Sequence, residues 1–147
     1  MPRNSVDYEE DFYAGTVEQA RLLRSGELSS IDIGNIAEEI ESLGRSDRRE
    51  IQSRLTVLLT HLLKWQLQPT MRSSSWSGTI REQRRQIEKL LRESPSLRPF
   101  IGETLAEAYS DAREDAPEET GLPETDLPTE CPFTPAEVMS RWFLPDR

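Results

Sequence analysis

The chain has 147 residues, of which 18 are Lys or Arg and 27 are Asp or Glu, giving a formal net charge of −9. That length suits one domain with a single core. Its only cysteine, Cys131, excludes an intrachain disulfide and indicates a reducing compartment. The longest apolar-rich run, residues 55–65, is too short to cross a bilayer. We therefore expect a cytoplasmic protein without a membrane span.

The charge is divided unevenly along the chain. Residues 45–100 carry 12 Lys or Arg against 5 Asp or Glu, whereas the two flanks together carry 6 against 22. The acidic total argues against a nucleic-acid partner on electrostatic grounds. The basic middle either packs beside acidic terminal helices or forms an anion-binding face.

Apolar residues recur every three or four positions, and no strand or hairpin pattern occurs, so the sequence predicts an all-α protein. The first predicted helix covers residues 7–25. The second begins at Asp32, a good N-cap residue. Its apolar stripe keeps phase through Gly44, which predicts one long helix over residues 32–68, ended by Pro69.

The second half of the chain is predicted to contain three further elements of helix and two of irregular structure. Serines and a glycine predict a loop over residues 70–78. A third helix is predicted over residues 79–93, and a fourth begins with Ser96 as its cap. Residues 117–133, rich in proline and acid, are predicted to be extended. Residues 134–144 are predicted to form a short terminal helix that docks on the bundle.

These elements together predict a single-domain helical bundle over residues 1–147. It has about four main helices, one of them long and central, plus the short C-terminal helix. Residues 1–6 are expected to be a flexible N-terminus. An apolar strip left exposed on the long helix would favour a homodimer.

The stretch LLTHLLKWQLQP contains the only histidine, His61, at the rim of the predicted core. Basic residues from the following loop and helix could join it in a pocket for a phosphate or carboxylate, with a tryptophan as a stacking wall. The structural alternative is an imidazole hydrogen-bonded to a neighbouring helix. The predicted pocket consists of His61, Trp65, Arg72, Trp76, Arg81 and Arg84.

Arg84 lies in the apolar stripe of the third predicted helix, where a charge must be paired. Glu39 and Glu50 on the long helix are its predicted partners, in a structural ion-pair network. Glu39 and His61 would be roughly 33 Å apart on a continuous helix, so a metal site shared by them needs a break at Gly44. We predict no metal and no cofactor.

Several phrases resemble a bacterial family of unknown function, number 29 among such families and widespread in cyanobacteria and proteobacteria. They include YEEDFYAGTVEQARLLRSGE, NIAEEIESLGRSDRRE, HLLKWQLQP, SWSGTIREQRRQI, SPSLRPF, ETGLP and ECPFT. The resemblance covers nearly the whole chain. It implies a compact all-α protein with no assigned activity. Such proteins usually continue in alanine where this chain has Pro117, which implies an early end of the fourth helix.

Three functions stay open at this point, and no catalytic residue is predicted. The first is a binding or interaction module for a protein partner or an anionic ligand, because the middle is basic and no catalytic set is complete. The second is a metal-dependent nucleotide hydrolase with helix-borne carboxylates as ligands. The third is DNA binding through the basic segment 45–54, which lacks helix-turn-helix spacing. The candidate carboxylates are Glu39, Glu50, Glu107 and Asp111.

Overall fold

A computed structural model describes residues 9–146, and this part of the chain is built from helices without strands. The predicted all-α class, with one long central helix and a short C-terminal helix, is confirmed. The predicted flexible segment 1–6 lies outside the described residues. The helices are α1 (Phe12–Ser25), α2 (Ile33–Leu67), α3 (Ser74–Glu93), α4 (Arg98–Thr120) and α5 (Pro135–Met139).

The described residues form two compact units, with the boundary between Arg45 and Ser46. The first unit contains α1 and the beginning of α2. Helix α1 starts later than predicted because Asp11 is its cap and accepts the Ala14 N–H at 3.0 Å. Asp32 caps α2 as predicted, since its side chain accepts the Asn35 N–H at 3.1 Å.

Helix α2 runs for 35 residues without interruption, which confirms the prediction of one long helix. It passes through Gly44 and ends at Leu67, two residues before Pro69. The apolar stripe keeps its phase across the glycine, so the helix continues in the direction that the periodicity predicts. The break that a metal site shared by Glu39 and His61 would need is therefore missing.

The core of the second unit is formed by the C-terminal part of α2, by α3 and α4, and by the segment that follows α4. Its helical members recur at three- and four-residue spacing, as an amphipathic helix requires. The buried side chains are Ile51, Leu55, Leu58, Leu59, Leu62, Leu63, Ile80, Ile87, Leu91, Ile101, Leu105, Ala108, Tyr109, Ala112, Ala116, Leu127, Phe133 and Val138.

Helix α3 begins five residues earlier than predicted, so the predicted loop over residues 70–78 is wrong for its second half. Ser73 is the N-cap, and its side chain accepts the Trp76 N–H at 3.2 Å. The serines that suggested a loop are residues that favour the beginning of a helix. Trp76 consequently lies in the first turn of α3.

Helix α4 differs from its prediction at both ends. Ser96 is not its cap, because Pro95–Leu97 forms a 3-10 turn and α4 starts at Arg98. Pro117 does not end the helix, which continues to Thr120. Gly121 then closes it with φ 78°, donating its N–H to the Pro117 carbonyl at 2.8 Å. The extended segment therefore begins at Gly121 rather than at Pro117.

Helix α5 is shorter than the predicted segment 134–144. Thr134 and Glu137 form a capping box at its beginning, and the helix ends at Met139. Val138 is buried in the core of the second unit, as expected for a docked element. Trp142, expected to be part of an apolar plug, is 82% exposed.

The segment after α4, residues 121–146, is called the tail here. Side chains of the second unit hold it by donating to its backbone carbonyls. The Tyr109 hydroxyl donates to the Pro128 carbonyl at 2.5 Å, and Arg113 Nε donates to the same oxygen at 3.0 Å. Arg72 Nη2 donates to the Asp146 carbonyl at 2.8 Å. The tail is thus bonded to the second unit at several points along its length.

Candidate anion-binding site

One face of α3 carries a row of arginines. Arg81, Arg85 and Arg92 stand at spacings of four and seven, so their directions from the helix axis fall within about 40° of one another. The row is about 16 Å long at the rise of an α-helix. Glu88 is the only acidic residue of α3 on the same line. The sequence therefore places three guanidinium groups along a single line.

A cleft of about 480 Å³ lies along this row. Its other side is formed by residues at and after the end of α5. Five arginines and a single glutamate line it, and that glutamate, Glu88, accepts from Arg98 Nη2 at 2.9 Å. The cleft consequently has a large excess of positive charge. Its lining residues are Arg81, Arg84, Arg85, Glu88, Arg92, Met139 and Arg141.

Arg84 is the buried arginine of the cleft, with 6% of its surface exposed. Its Nε donates to the Val138 carbonyl at 2.7 Å, and its Nη2 donates to the Glu137 carbonyl at 3.4 Å. Burial lowers the pKa of Arg84 to about 10, so the group stays protonated at neutral pH. Arg84 therefore fixes the end of α5 against α3.

The predicted structural ion-pair network joins Arg84 to Glu39 and Glu50; its Arg84–Glu50 pair is wrong, and Glu39 belongs to the first unit. Arg84 donates to backbone carbonyls of the tail instead of to carboxylates. Glu50 accepts from Arg54 Nε at 2.8 Å, one turn further along the same helix. Carbonyl oxygens can accept hydrogen bonds from a guanidinium in place of carboxylates, and a sequence pattern does not reveal them.

The remaining arginines of the cleft differ in how many contacts their guanidinium groups already make with other residues. Arg85 is paired with Glu82 on its own helix. The Arg141 guanidinium lies 4.9 Å from the centre of the Trp142 ring. Arg81 and Arg92 are exposed and make no hydrogen bond or ion pair within residues 9–146. These two can turn toward a ligand without breaking a protein contact.

The predicted pocket of six residues does not form as one site. Arg81 and Arg84 line the arginine cleft. Arg72 lies over the Trp65 ring at 5.1 Å and donates from Nε to the Trp65 carbonyl at 2.7 Å. Trp76 instead faces Lys64, whose Nζ lies 4.8 Å from the ring centre.

The contacts of Arg72 and Lys64 indicate structural roles. Arg72 connects the end of α2 with the tail, as described above. Lys64 is largely buried, and its Nζ donates to Glu119 Oε1 at 2.9 Å. Both cations are thus used in joining α2 to other elements of the second unit, and neither is available for a ligand.

His61 is half-buried, and its Nδ1 lies 2.9 Å from the Val57 carbonyl one turn earlier in α2. The expected hydrogen bond to a neighbouring helix is therefore wrong. Burial is the main cause that lowers the pKa of His61; the nearby Lys64 also lowers it, while the Val57 bond and Glu119 act in the opposite direction. The imidazole is held neutral at the edge of the core.

This lowered pKa predicts a pH-dependent stability. In the unfolded chain His61 binds its proton near the ordinary pKa of 6.5, but in the folded chain only at lower pH. The free energy of unfolding should therefore fall as pH is lowered from 7.5 through 6.5 toward the folded pKa. Urea unfolding across this range checks it. His61→Gln should flatten the dependence, and an unchanged slope in the variant would contradict the assignment.

Several residues of the cleft are not among those predicted from the sequence. The spacing of Arg85, Glu88 and Arg92 from Arg81 is visible in the sequence and could have shown the row. Met139 and Arg141 carry no such signal. They reach the cleft only because α5 docks beside α3, and that contact depends on the buried Arg84.

The carboxylates predicted for a hydrolase do not form a metal site. Within residues 9–146, no group of three His, Cys, Asp or Glu side chains is arranged to hold a metal ion. Glu107 and Asp111 are exposed on α4, and Glu50 is paired with Arg54. Cys131 is half-buried and donates to the Phe133 carbonyl, and burial raises the pKa of its thiol. A thiol of this kind is a poor nucleophile.

Three of the four arginines in the basic segment 45–54 have a glutamate nearby. Arg45 pairs with Glu38 at 2.6 Å and Arg54 pairs with Glu50. Arg48 lies 3.8 Å from Glu103 and 4.4 Å from the centre of the Phe100 ring. Within residues 9–146, Arg49 is the one arginine of this segment that makes no ion pair. In the part of the chain that the structure describes, no helix has the length and apolarity to cross a membrane.

The fold and the cleft define a small all-α protein whose larger unit carries an arginine-lined surface recess. The chain belongs to the family described as Domain of unknown function DUF29, whose model matches residues 8–144. The resemblance seen in the sequence phrases is thereby confirmed. No curated protein and no solved structure matches the chain.

Proposed function

We propose that this protein is a binding module for a small anion that carries more than one phosphate group, held in the arginine cleft. One observation carries the proposal: five arginines line a single cavity against one glutamate, which already has a partner in Arg98. Charge of this density on a folded surface repels itself. A bound polyanion removes that repulsion.

The arrangement along α3 supports a ligand rather than a purely structural role. Arg81 and Arg85 are separated by four residues, a spacing at which like charges destabilise a helix. Arg85 has Glu82 as a partner, but Arg81 and Arg92 use none of their donors within the described residues. A purely structural row of cations would be expected to have matching carboxylates.

The size and chemistry of the cleft suit a phosphorylated small molecule. Its volume of about 480 Å³ falls within the range of ligand sites in proteins. Guanidinium groups bind phosphate oxygens in pairs, with fixed geometry. Arg84 is already immobilised by the tail, whereas Arg81 and Arg92 stand about 16 Å apart along the helix. A ligand with two or three linked phosphates can contact one of these exposed arginines together with Arg84.

Calorimetric titration with pyrophosphate and with ATP tests the proposal. The double variant Arg81→Gln/Arg92→Gln should bind either probe about 10- to 100-fold more weakly, since a charge-assisted bond contributes about 1.5–3 kcal/mol. The matched control Arg24→Gln/Arg49→Gln removes the same charge from exposed arginines outside the cleft. It should leave most of the affinity intact.

Two results would contradict the proposed function. One is the lack of heat with either probe at low ionic strength, where attraction between exposed charges is least screened. The other is an equal loss of affinity in the cleft variant and in the control, because this would show that only net charge matters. Added salt should weaken the binding of both probes to the wild type.

A further inference from the structure

Trp142 is the most exposed of the three tryptophans, with 82% of its surface open to solvent. Trp65 and Trp76, the two rings of the predicted pocket, are half-buried and lie beside cations of their own unit. An indole ring left in water adds little to the stability of the fold, because its apolar surface stays hydrated. The broad face of Trp142 is therefore free to contact a ligand.

The exposed position of Trp142 is fixed by an ordered turn. The Phe143 N–H donates to the Ser140 carbonyl at 3.2 Å, so residues 140–143 close on themselves. Phe143 packs against the core of the second unit, and its ring meets the Phe133 ring edge-on with the centres 5.9 Å apart. The residue after Trp142 is thus anchored inward, while Trp142 itself is held outward.

The same turn places Trp142 beside the arginine cleft. Arg141 lines the cleft, and its guanidinium lies 4.9 Å from the centre of the Trp142 ring. Trp142 also follows by four residues Val138, whose carbonyl accepts from Arg84. Since an extended chain advances about 3.3–3.6 Å per residue, the Cα atoms of Val138 and Trp142 are at most about 14 Å apart. The exposed ring and the arginines consequently belong to one region of the surface.

We propose that the ligand of the arginine cleft is a nucleoside di- or triphosphate whose base stacks on Trp142. This inference rests on the polyanion site proposed above and names the class of its ligand. A nucleotide joins linked phosphates to a flat aromatic base, and the surface joins guanidinium groups to a flat exposed ring. Every base has a π-face that stacks on an aromatic side chain, and an arginine beside the ring adds to the attraction. A polyphosphate without a base would leave Trp142 uncovered.

The charge of the chain favours a free nucleotide over a nucleic-acid strand. The formal net charge is −9, and the arginine row on α3 is only about 16 Å long. A strand continues beyond this row and is repelled by the acidic remainder of the protein. A nucleoside triphosphate has its charge concentrated on three linked phosphates, which the row can accommodate.

Calorimetric titration with ATP and with inorganic tripolyphosphate tests the inference, because the second probe has the same number of phosphates but no base. Trp142→Ala should weaken ATP binding about 5- to 100-fold, the range expected for one base stacked on an aromatic ring, and should leave tripolyphosphate binding within about twofold. Trp142→Phe keeps an aromatic ring and should keep most of the ATP affinity.

The matched control Tyr13→Ala removes a 77% exposed aromatic ring that does not line the cleft. It should leave the affinity for both probes unchanged. Far-UV circular dichroism shows whether each variant keeps its helices, and an exposed side chain such as Trp142 can be removed with little effect on them.

The outcomes separate the base from the phosphates. If neither probe binds to the wild type, the proposed function fails and the nucleotide inference fails with it. If both probes bind but Trp142→Ala weakens neither, or weakens both equally, the anion site stands and the nucleotide inference is wrong. Tighter binding of a short oligothymidylate than of ATP would also overturn it, because the ring and the arginines would then serve a single-stranded nucleic acid.

Discussion

Replacing Arg84 by methionine should lower the free energy of unfolding by about 3 kcal/mol. This value is the upper end of the range expected when a buried polar group loses its partner. Methionine keeps a similar length of side chain but cannot donate. The Val138 carbonyl, which now accepts from Arg84 Nε at 2.7 Å, would stay buried without that donor. Chemical denaturation, monitored by circular dichroism, measures the loss of stability.

The neighbouring Arg85→Met is the matched control for this prediction. The Arg85 side chain is 66% exposed and pairs with Glu82 at the surface, where ion pairs contribute about 0–1 kcal/mol. Its removal should change stability little. Equal losses in the two variants would mean that the charge of α3, rather than the bond to the tail, determines the stability.

Pro117→Ala should raise the free energy of unfolding by about 2 kcal/mol, because proline inside a helix costs up to about 3 kcal/mol relative to alanine. Pro117 lies inside α4, four residues before the capping Gly121. Because proline has no N–H, the hydrogen bond that this position would otherwise donate to the Arg113 carbonyl is missing. Thermal unfolding of both proteins provides the comparison.

Pro99→Ala separates this effect from a general effect of losing a proline. Pro99 stands in the first turn of α4, where a backbone N–H has no partner within the helix and proline is well accommodated. That variant should show no gain in stability. A similar gain at both positions would contradict the explanation based on the helix interior.

The helices could be predicted where one periodic signal extends over many turns. The continuity of α2 through Gly44 is the best example, because eleven residues restore the phase of its apolar stripe. Local composition failed at Ser73 and at Pro117. The serine begins a helix instead of marking a loop, and the proline stays helical although local preference opposes it. Ala112 and Ala116, which precede Pro117 in α4, are buried. Their burial stabilises the end of the helix against the local preference of proline.

The candidate site was predictable only in part. Arg81 and Arg84 were recognised from their types and positions, and the rest of the row on α3 follows from spacing. The partner of Arg84 could not be found in this way, because a backbone carbonyl is present at every residue and leaves no mark in the sequence. Arg141 likewise reaches the cleft only through the docking of α5.

The tail is held by hydrogen bonds to its backbone carbonyls, and these bonds leave the identity of its side chains free to vary. Donors such as Tyr109 and Arg113 recognise the course of the main chain and are indifferent to the side chains it carries. Outward residues such as Thr129, Glu130 and Trp142 can therefore drift in identity while the anchorage stays the same. Substitutions of outward residues in the tail should therefore change stability little. The donor side chains on the helices, in contrast, cannot be replaced without loss of the hydrogen bonds that hold the tail.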